Sequence, residues 1–331
     1  MKKLVYLFIL FIMFSACGSA DDFLEDIETI DSILVNPPFT SDSTGNNPSD
    51  TIVVDSNTTT LPKDSTYTPQ DSAMVDDTLI IADSPEIEYK YIFSIKSKSN
   101  KSFQGIAIYG DELFNFHDSN NIIDVYNMKT HQSIASIEVK AEPTVHCNTV
   151  SFSSEFYEKE DKYPLIYVQQ GGNYNRVNVY RIVCQDSIYS AQKIQTISFT
   201  PCTHSLTAID TDNKKMYIIY MNNGRYIAMA DIPNTSPEEM TFHLNKAQKT
   251  YAISIPKVVQ DTAFDNNCLY FVCGYSKQGE LWRIDMTTKT AKVIDLTKYD
   301  MTAEPEGLEI YEGNVIVSFQ NKSVFQIKIN N

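Results

Sequence analysis

The chain has 331 residues, 42% of them hydrophobic and 21% charged, with a formal net charge of −15 at pH 7. That length and apolar content allow a sizeable buried core. The negative balance speaks against nucleic acid as a partner, since the phosphate backbone is held by a basic surface.

The acidity is unevenly placed. Residues 1–16, MKKLVYLFILFIMFSA, carry two lysines, a continuous apolar run and small residues just before Cys17. This is the n-region, h-region and cleavage approach of a secretory signal, and the run Leu4–Phe14 is too short to cross a bilayer as a mature helix. An ordinary secretory signal followed by an incidental cysteine fits those residues. The ending Phe14-Ser15-Ala16-Cys17 also resembles a bacterial lipobox, with Phe where Leu is commoner. That resemblance implies that Cys17 becomes the first residue and carries lipid, each buried CH₂ of which contributes about 0.8 kcal/mol to anchoring.

Gly18–Glu88 holds 16 acidic residues against one lysine, Lys63, a net −15; with +2 in the signal, Tyr89–Asn331 carries only −2. Many Ser and Thr, few aromatics and scattered prolines leave too little apolar surface to offset chain entropy. Residues 17–88 are therefore expected to be a flexible tether. The GSADD run after Cys17 resembles the export signal that sends Bacteroidota lipoproteins to the cell surface. It implies an outer-membrane, lipid-anchored protein facing the exterior. Six Asp-Ser/Thr-x tripeptides, from Asp31-Ser32-Ile33 to Asp77-Thr78-Leu79, resemble the O-glycosylation sequon of the same bacteria. The five later cysteines have no scaffold spacing and read as small hydrophobes.

From Tyr89 the chain changes to short alternating runs of Ile, Val, Tyr and Phe punctuated by Gly, Asn and Asp, which is strand grammar. One opening recurs: Gln104-Gly105-Ile106, Asn148-Thr149-Val150, Leu206-Thr207-Ala208, Asp261-Thr262-Ala263 and Glu306-Gly307-Leu308. Each is followed by a second strand (ELFNFHD, PLIYVQQ, KMYIIYMN, CLYFVCGY, NVIVSFQ) and a third. The first four units have a fourth strand, and the fifth ends without one. Four strands per unit at this period predicts an all-β fold, a β-propeller of five blades, or six if an insertion hides one. A β-sandwich, the plainer alternative, rarely gives in-phase repeats. The orphan strand Tyr89–Ser97 is expected to complete the last blade, packing Tyr91, Phe93 and Ile95. Residues 89–331 form the propeller, with surface insertions at Ser153–Tyr163 and Pro233–Lys246.

In a propeller the repeated opening lies at one mouth of the central channel. Its first position predicts a ring of Gln104, Asn148, Leu206, Asp261 and Glu306. Two places earlier a second ring holds Ser102, His146, His204, Val259 and Glu304. Carboxylate and amide oxygens suit a hard cation such as calcium, whereas His146 and His204 beside Cys147 and Cys202 suit zinc. The candidate metal set is therefore Gln104, His146, Asn148, His204, Asp261, Glu304 and Glu306. A watered polar channel without metal fits the same residues. The Glu-Gly-Leu opening and the Asn/Asp/Glu ring resemble six-bladed calcium-dependent lactonase and gluconolactonase-like propellers. That resemblance implies a central cation on Asn148, Asp261 and Glu306, and a metal-dependent hydrolase.

The loops of the same face, such as QQGGNYNRV, MNNGRY and GYSKQGE, offer amide, guanidinium and aromatic groups. Asn and Gly are ordinary turn formers, but Tyr174, Arg176, Arg225, Tyr226 and Lys277 suit a polar-ligand site. No phosphate loop, nucleophile elbow or zinc-protease motif is present, and no catalytic residue is assigned. The lone Trp282 reads as packing. The chain from Tyr89 onward, with its lipobox and tether, resembles uncharacterised propeller lipoproteins of Bacteroidota. The function expected is surface display of a module that binds a glycan or protein through its top face.

Overall fold

The apolar runs end at turns that require left-handed backbone. Asn266 and Asn267, with φ of 48° and 58°, join Asp265 to Cys268. Glu312 and Gly313, at 49° and 73°, join Tyr311 to Asn314. Two-residue turns of this kind match the twist of the flanking strands and set their register. The computed structural model describes residues 79–97, 101–118, 122–139, 147–169, 175–255 and 257–330. Cys17, His146, Tyr174, the signal and most of the expected tether lie outside them.

The hairpins build five sheets, one per blade. Two strands come first, β1 (Ile80–Ala82) and β2 (Ile87–Ser94). Blade 1 is β3 (Phe103–Tyr109), β4 (Glu112–His117), β5 (Ile122–Asn127) and β6 (Ser133–Glu138). Blade 2 is β7 (Val150–Phe152), β8 (Ile166–Gln169), β9 (Arg176–Gln185) and β10 (Ile188–Thr200). Blade 3 is β11 (His204–Asp210), β12 (Lys215–Met221), β13 (Arg225–Asp231) and, after β14 (Glu239–His243), β15 (Lys249–Ala252). Blade 4 is β16 (Val259–Asp265), β17 (Cys268–Cys273), β18 (Glu280–Asp285) and β19 (Thr290–Asp295). Blade 5 is β20 (Pro305–Tyr311), β21 (Asn314–Phe319) and β22 (Ser323–Ile329), completed by β2. The protein is thus a five-bladed β-propeller whose last blade is closed by an N-terminal strand.

Five apolar cores fill the seams between blades. Phe114, Phe152 and Ile166 pack between blades 1 and 2, and Tyr167, Phe199 and Ile218 between 2 and 3. Ile219, Phe271 and Trp282 pack between blades 3 and 4, and Val272, Leu308 and Phe319 between 4 and 5. Ile166 and Tyr167 face opposite seams, as do Ile218 and Ile219, because strand side chains alternate. Second strands are therefore buried on both faces and read as unbroken apolar runs. Trp282 stacks on Phe271 at 5.4 Å, a packing role.

The fifth seam closes the ring. Phe93 and Ile95 from the N-terminal segment and Val324 from β22 meet Phe103 and Ile106 of blade 1. The closing segment is also stapled by polar groups. Tyr126 donates from its hydroxyl to the Lys96 carbonyl at 2.6 Å, and Ser97 donates to Asp124, which also pairs with His117 Nε2 at 2.8 Å.

Three boundaries differ from the sequence-based expectation. The closing strand runs from Ile87 to Ser94 rather than Tyr89–Ser97, and Tyr91 is 51% exposed while Phe93 is 7% exposed. The expected tether, residues 17–88, includes β1 and the start of β2. The apolar run Leu79-Ile80-Ile81 finds an open edge, and β1 pairs in parallel with β19 of blade 4 while Leu79 packs on its core. The excursion Pro233–Lys246 contributes β14, which pairs in parallel with β10 of the neighbouring blade 2. Each unpaired edge is a template for another strand, and these segments use two of them. The other insertion is pinned by Tyr163, which is buried against Phe114 and Phe152.

Phe93→Ala is expected to destabilise the protein by about 3–5 kcal/mol, and Tyr91→Ala by about 1 kcal/mol or less, in urea denaturation. Equal losses would refute this register of the closing strand.

Candidate functional site

Each innermost strand has one edge facing the channel, where no strand lies beside it. Close approach is permitted by small residues. A Cβ on Gly105 would lie 2.8 Å from Val150 Cγ2 and 3.0 Å from the Asn148 carbonyl oxygen, and one on Gly307 would lie 2.9 Å from Ile106 Cγ2. The glycines at the second repeat position of blades 1 and 5 are explained by this crowding.

Hairpin register shows which residues are equivalent. Counting five back from the strand ends Tyr109, Asp265 and Tyr311 reaches Gln104, Gln260 and Glu306. At these positions the pairing shifts register in all three blades, a bulge that re-aims side chains. The expected ring is corrected accordingly. Gln260, not Asp261, stands beside Gln104 and Glu306, and Leu206 is turned into the core between blades 3 and 4.

Asp261 occupies the position of the two glycines and reaches across the channel. Its Oδ2 accepts from Leu308 N at 2.8 Å and Ile106 N at 3.2 Å, and its Oδ1 accepts from Thr262 N at 2.7 Å. Burial pushes its carboxyl well up, and the three amide bonds oppose that. Asp261 thus satisfies edge N–H groups of blades 5 and 1. Thr262 and Ser151 donate to the Thr207 carbonyl from two further blades, at 2.9 and 3.5 Å. Farther down, Glu309 accepts from Ile310 N at 2.9 Å and Ile108 N at 3.5 Å. Burial raises its carboxyl to about 8.

Above this closed waist is the mouth. Glu306 is 2% exposed. Burial, then Glu304, Asp118 and Asp261, push its carboxyl well above the usual range. Glu304 accepts from Gln260 Nε2 at 2.8 Å. Gln104 Oε1 and Asn148 Oδ1 are buried without a partner. The mouth therefore gathers carboxylate and amide side chains, two of whose oxygens are buried without a partner. Among the described residues no group of three or more His, Cys, Asp and Glu side chains is placed to hold a metal ion.

The remaining candidates are spread over the same face. His204 is exposed, with Nδ1 3.2 Å from the Thr203 hydroxyl. Arg225 spends both Nη1 hydrogens on the carbonyls of Ile255, at 2.9 Å, and Lys257. It clamps the connection between blades 3 and 4, and burial lowers its pKa. Tyr226 is half-buried and stacks on Tyr220 at 5.3 Å. Arg176 opens β9, and Lys277 sits at φ 63° with its amide donated to Thr302 O at 2.7 Å. His146 and Tyr174 lie outside the described residues.

A polar cluster in blade 1 was not foreseen. Ser97, Asn115, His117 and Asp124 meet in the buried interior, with Asn115 Nδ2 3.2 Å from His117 Nε2. Burial pushes Asp124 up, but bonds from His117 and Ser97 carry it below the usual carboxylate range. Both Ser97 and Asp124 face the same imidazole nitrogen, which is not a relay geometry. His117 Nδ1 has no partner and lies by a cavity of about 20 Å³ shared with Cys147 and Tyr180, room for one water. The alternation in Asn115-Phe116-His117 was the available signal, placing two polar side chains on one face.

No protein-family model and no curated protein matches the chain. Among solved structures it is similar to the crystal structure of Myxococcus xanthus glutaminyl cyclase, at 10% identity over 77% of this chain and 99% of that one, with a TM-score of 0.49. It is also similar to the PQQ-bound aldose sugar dehydrogenase of Streptomyces coelicolor, at 8% identity over 75% and 100%, with a TM-score of 0.47. At those identities neither likeness bears on activity.

Two stability measurements check the waist. Asp261→Ala strands two cross-channel N–H groups, each costing about 1–3 kcal/mol, so its loss in urea denaturation should exceed that of Glu306→Gln; the reverse order would count against the cross-channel role. Glu309 keeps its proton in the folded state to about pH 8, whereas the unfolded chain loses it near the ordinary value of about 4.5. Stability should therefore fall as pH rises between those values, because the folded state then binds more protons. In Glu309→Gln the decline in melting temperature should be shallower, and an unchanged slope would remove Glu309 from this role.

Proposed function

We propose that the protein is a lipid-anchored binding propeller of the outer membrane, displayed on the cell exterior, which engages a glycan or a surface protein through its top face. The observation that carries the reading is the mouth, where Gln104 Oε1 and Asn148 Oδ1 are buried without a partner and the Glu306 side chain is buried. Such groups cost free energy unless water, an ion or a ligand completes them. Hydroxyl- and amine-rich ligands bring donors. The half-buried ring of Tyr226 and the side chains of Arg176 and Lys277 stand at the surrounding loops to extend the contact.

Anchoring rests on the lipobox-like run ending at Cys17 and the acidic segment after it. It is supported by where the chain joins the propeller. Ile80 N donates to Lys289 O, in the turn between β18 and β19, and β1 runs parallel to β19. The chain thus enters the propeller at the end opposite the mouth. A second reading, metal-assisted hydrolysis at the mouth, is favoured by the same unpaired oxygens and depends on a cation there.

The full chain is expected to give glycan-array or surface pull-down signals that drop at least about tenfold when Arg176, Tyr226 and Lys277 are all changed to alanine, as for loss of a polar contact set. Undiminished signals would overturn binding through these loops. Cys17→Ser should move the protein out of the membrane fraction, and retention there would overturn the lipid anchor.

A further inference from the structure

The segment that becomes β1 has two counterparts upstream. It is Asp77-Thr78-Leu79-Ile80-Ile81, an acid, a hydroxyl residue and three branched apolar residues. The same order occurs in Asp50-Thr51-Ile52-Val53-Val54 and in Asp31-Ser32-Ile33-Leu34-Val35. In the copy that continues into described residues, the run adds to blade 4. It pairs in parallel with β19, and Leu79 packs on the core between blades 3 and 4. The other two copies lie outside the described residues, and β-branched residues such as Ile52, Val53 and Val54 favour strand pairing.

Blade 5 offers the matching edge. The outer edges of blades 2 and 4 are taken by β14 and β1. In blade 1, β6 runs on into a parallel bridge between Val139 and Ala191 of β10, and β15 of blade 3 is only four residues long. By contrast, β2 runs for eight residues at the end of its sheet. Among the described residues no strand pairs with its outer edge, so the N–H and C=O groups of alternate residues face away from β22. Tyr89 and Tyr91 on this strand are 44% and 51% exposed, although their rings lie edge-on to Tyr299 and Phe325 at 5.6 and 5.7 Å. Lys90 is exposed between them. A long apolar edge carrying one cation fits an apolar strand with acidic ends.

We propose that Thr51–Val54 adds to blade 5 as a fifth strand, parallel to β2, in the way that Ile80–Ala82 adds to blade 4. Parallel pairing is the mode of both strands that this chain already adds to blade edges. The link from Asp55 to Thr78 has 24 residues, and a coil of that length spans about 25–30 Å. Neighbouring packed sheets are about 10 Å apart, so the link reaches the next blade without tension. Asp50 and Asp55 flank the run and limit it to four residues, and either can meet Lys90. The copy at Ser32–Val35 is the poorer occupant, because Pro37 and Pro38 follow it and cannot donate to a ladder. The chain then reaches the propeller at blade 5 first and at blade 4 second.

Hydrogen exchange of the full chain, read by mass spectrometry, is the test. The peptide carrying Thr51–Val54 should exchange at least about tenfold more slowly than Ser56–Thr60, since a paired strand amide exchanges only when its pairing opens. Consecutive N–H groups of a strand point to opposite sides, so the double variant Ile52→Pro, Val53→Pro removes a donor to β2 in either register. Both changes lie outside the propeller. They should abolish the protection and speed exchange in β2, while β6 and β15 stay unchanged. Three results would each overturn the proposal: exchange of Thr51–Val54 at the rate of Ser56–Thr60, protection undiminished in the double variant, or an effect on β6 or β15 in place of β2. The measurement is repeated at low and high protein concentration. Unchanged protection places the segment on its own chain, whereas protection that rises with concentration assigns the edge to a second copy and overturns the proposal.

Discussion

A radial stack of sheets leaves the first strand of every blade with one unpaired edge, and all these edges face the same narrow channel. Backbone N–H and C=O groups there need partners as much as any others in the interior. Here side chains from other blades supply them. Asp261 bridges to blades 5 and 1, and Thr262 and Ser151 converge on one carbonyl of blade 3. The glycines at 105 and 307 are required because these strands approach within side-chain distance. Much else follows. The channel is crossed at its waist by this bonding. The acceptors one step above the waist are left over from that bonding, and the position of the candidate site is a by-product of how the ring satisfies its inner edges.

The blade repeat was legible because its cause is local. Hairpin turns, alternating apolar residues and a crowded second position all leave marks at fixed spacing. The alignment nevertheless slipped by one residue in blade 4. Asp261-Thr262 looks like Glu306-Gly307, and composition favours that match. The turn at Asn266-Asn267 sets the true register, and counting back from it would have placed Gln260 in the ring. What Asp261 does was not legible at all, because its partners lie 155 and 47 residues away in sequence. Arg225 shows the same limit. A guanidinium beside Asn, Gly and Tyr suits a ligand site, but its Nη1 hydrogens are spent on carbonyls 30 and 32 residues onward. The added strands β1 and β14 were hidden for a different reason: each pairs with a blade other than the one its sequence neighbours build, so repeat spacing carries no trace of it.

Ring closure joins the segment at Phe93 to β22 at the far end of the chain, and such a contact repays its loop entropy only after the intervening blades are in place. The polar staple at Ser97, His117 and Asp124 matters in that light. It ties the residues just after the closing strand to blade 1, so the two ends of the ring are held by buried apolar packing and by a charged hydrogen-bond network together. The charge distribution follows a similar division. The propeller is nearly neutral overall, with surface carboxylates such as Asp111, Glu112 and Asp161 paired to Lys or Arg and Asp261 and Glu309 at the waist held by backbone amides.

The route by which the chain enters has a mechanical consequence. A load drawn from below through Leu79 meets β1 first, three residues pulled along their own axis beside β19. Sheared strands share a load over all their bonds, but three residues offer few to share it. β1 can therefore give way while every blade keeps its own four strands, and the short link Asp83–Glu86 then takes up the slack. Only after that does force reach β2, again along the strand, where the longer ladder with β22 and the buried Phe93 resist together. The outer strand of blade 4 is thus placed as a fuse in series with the strand that keeps the ring shut.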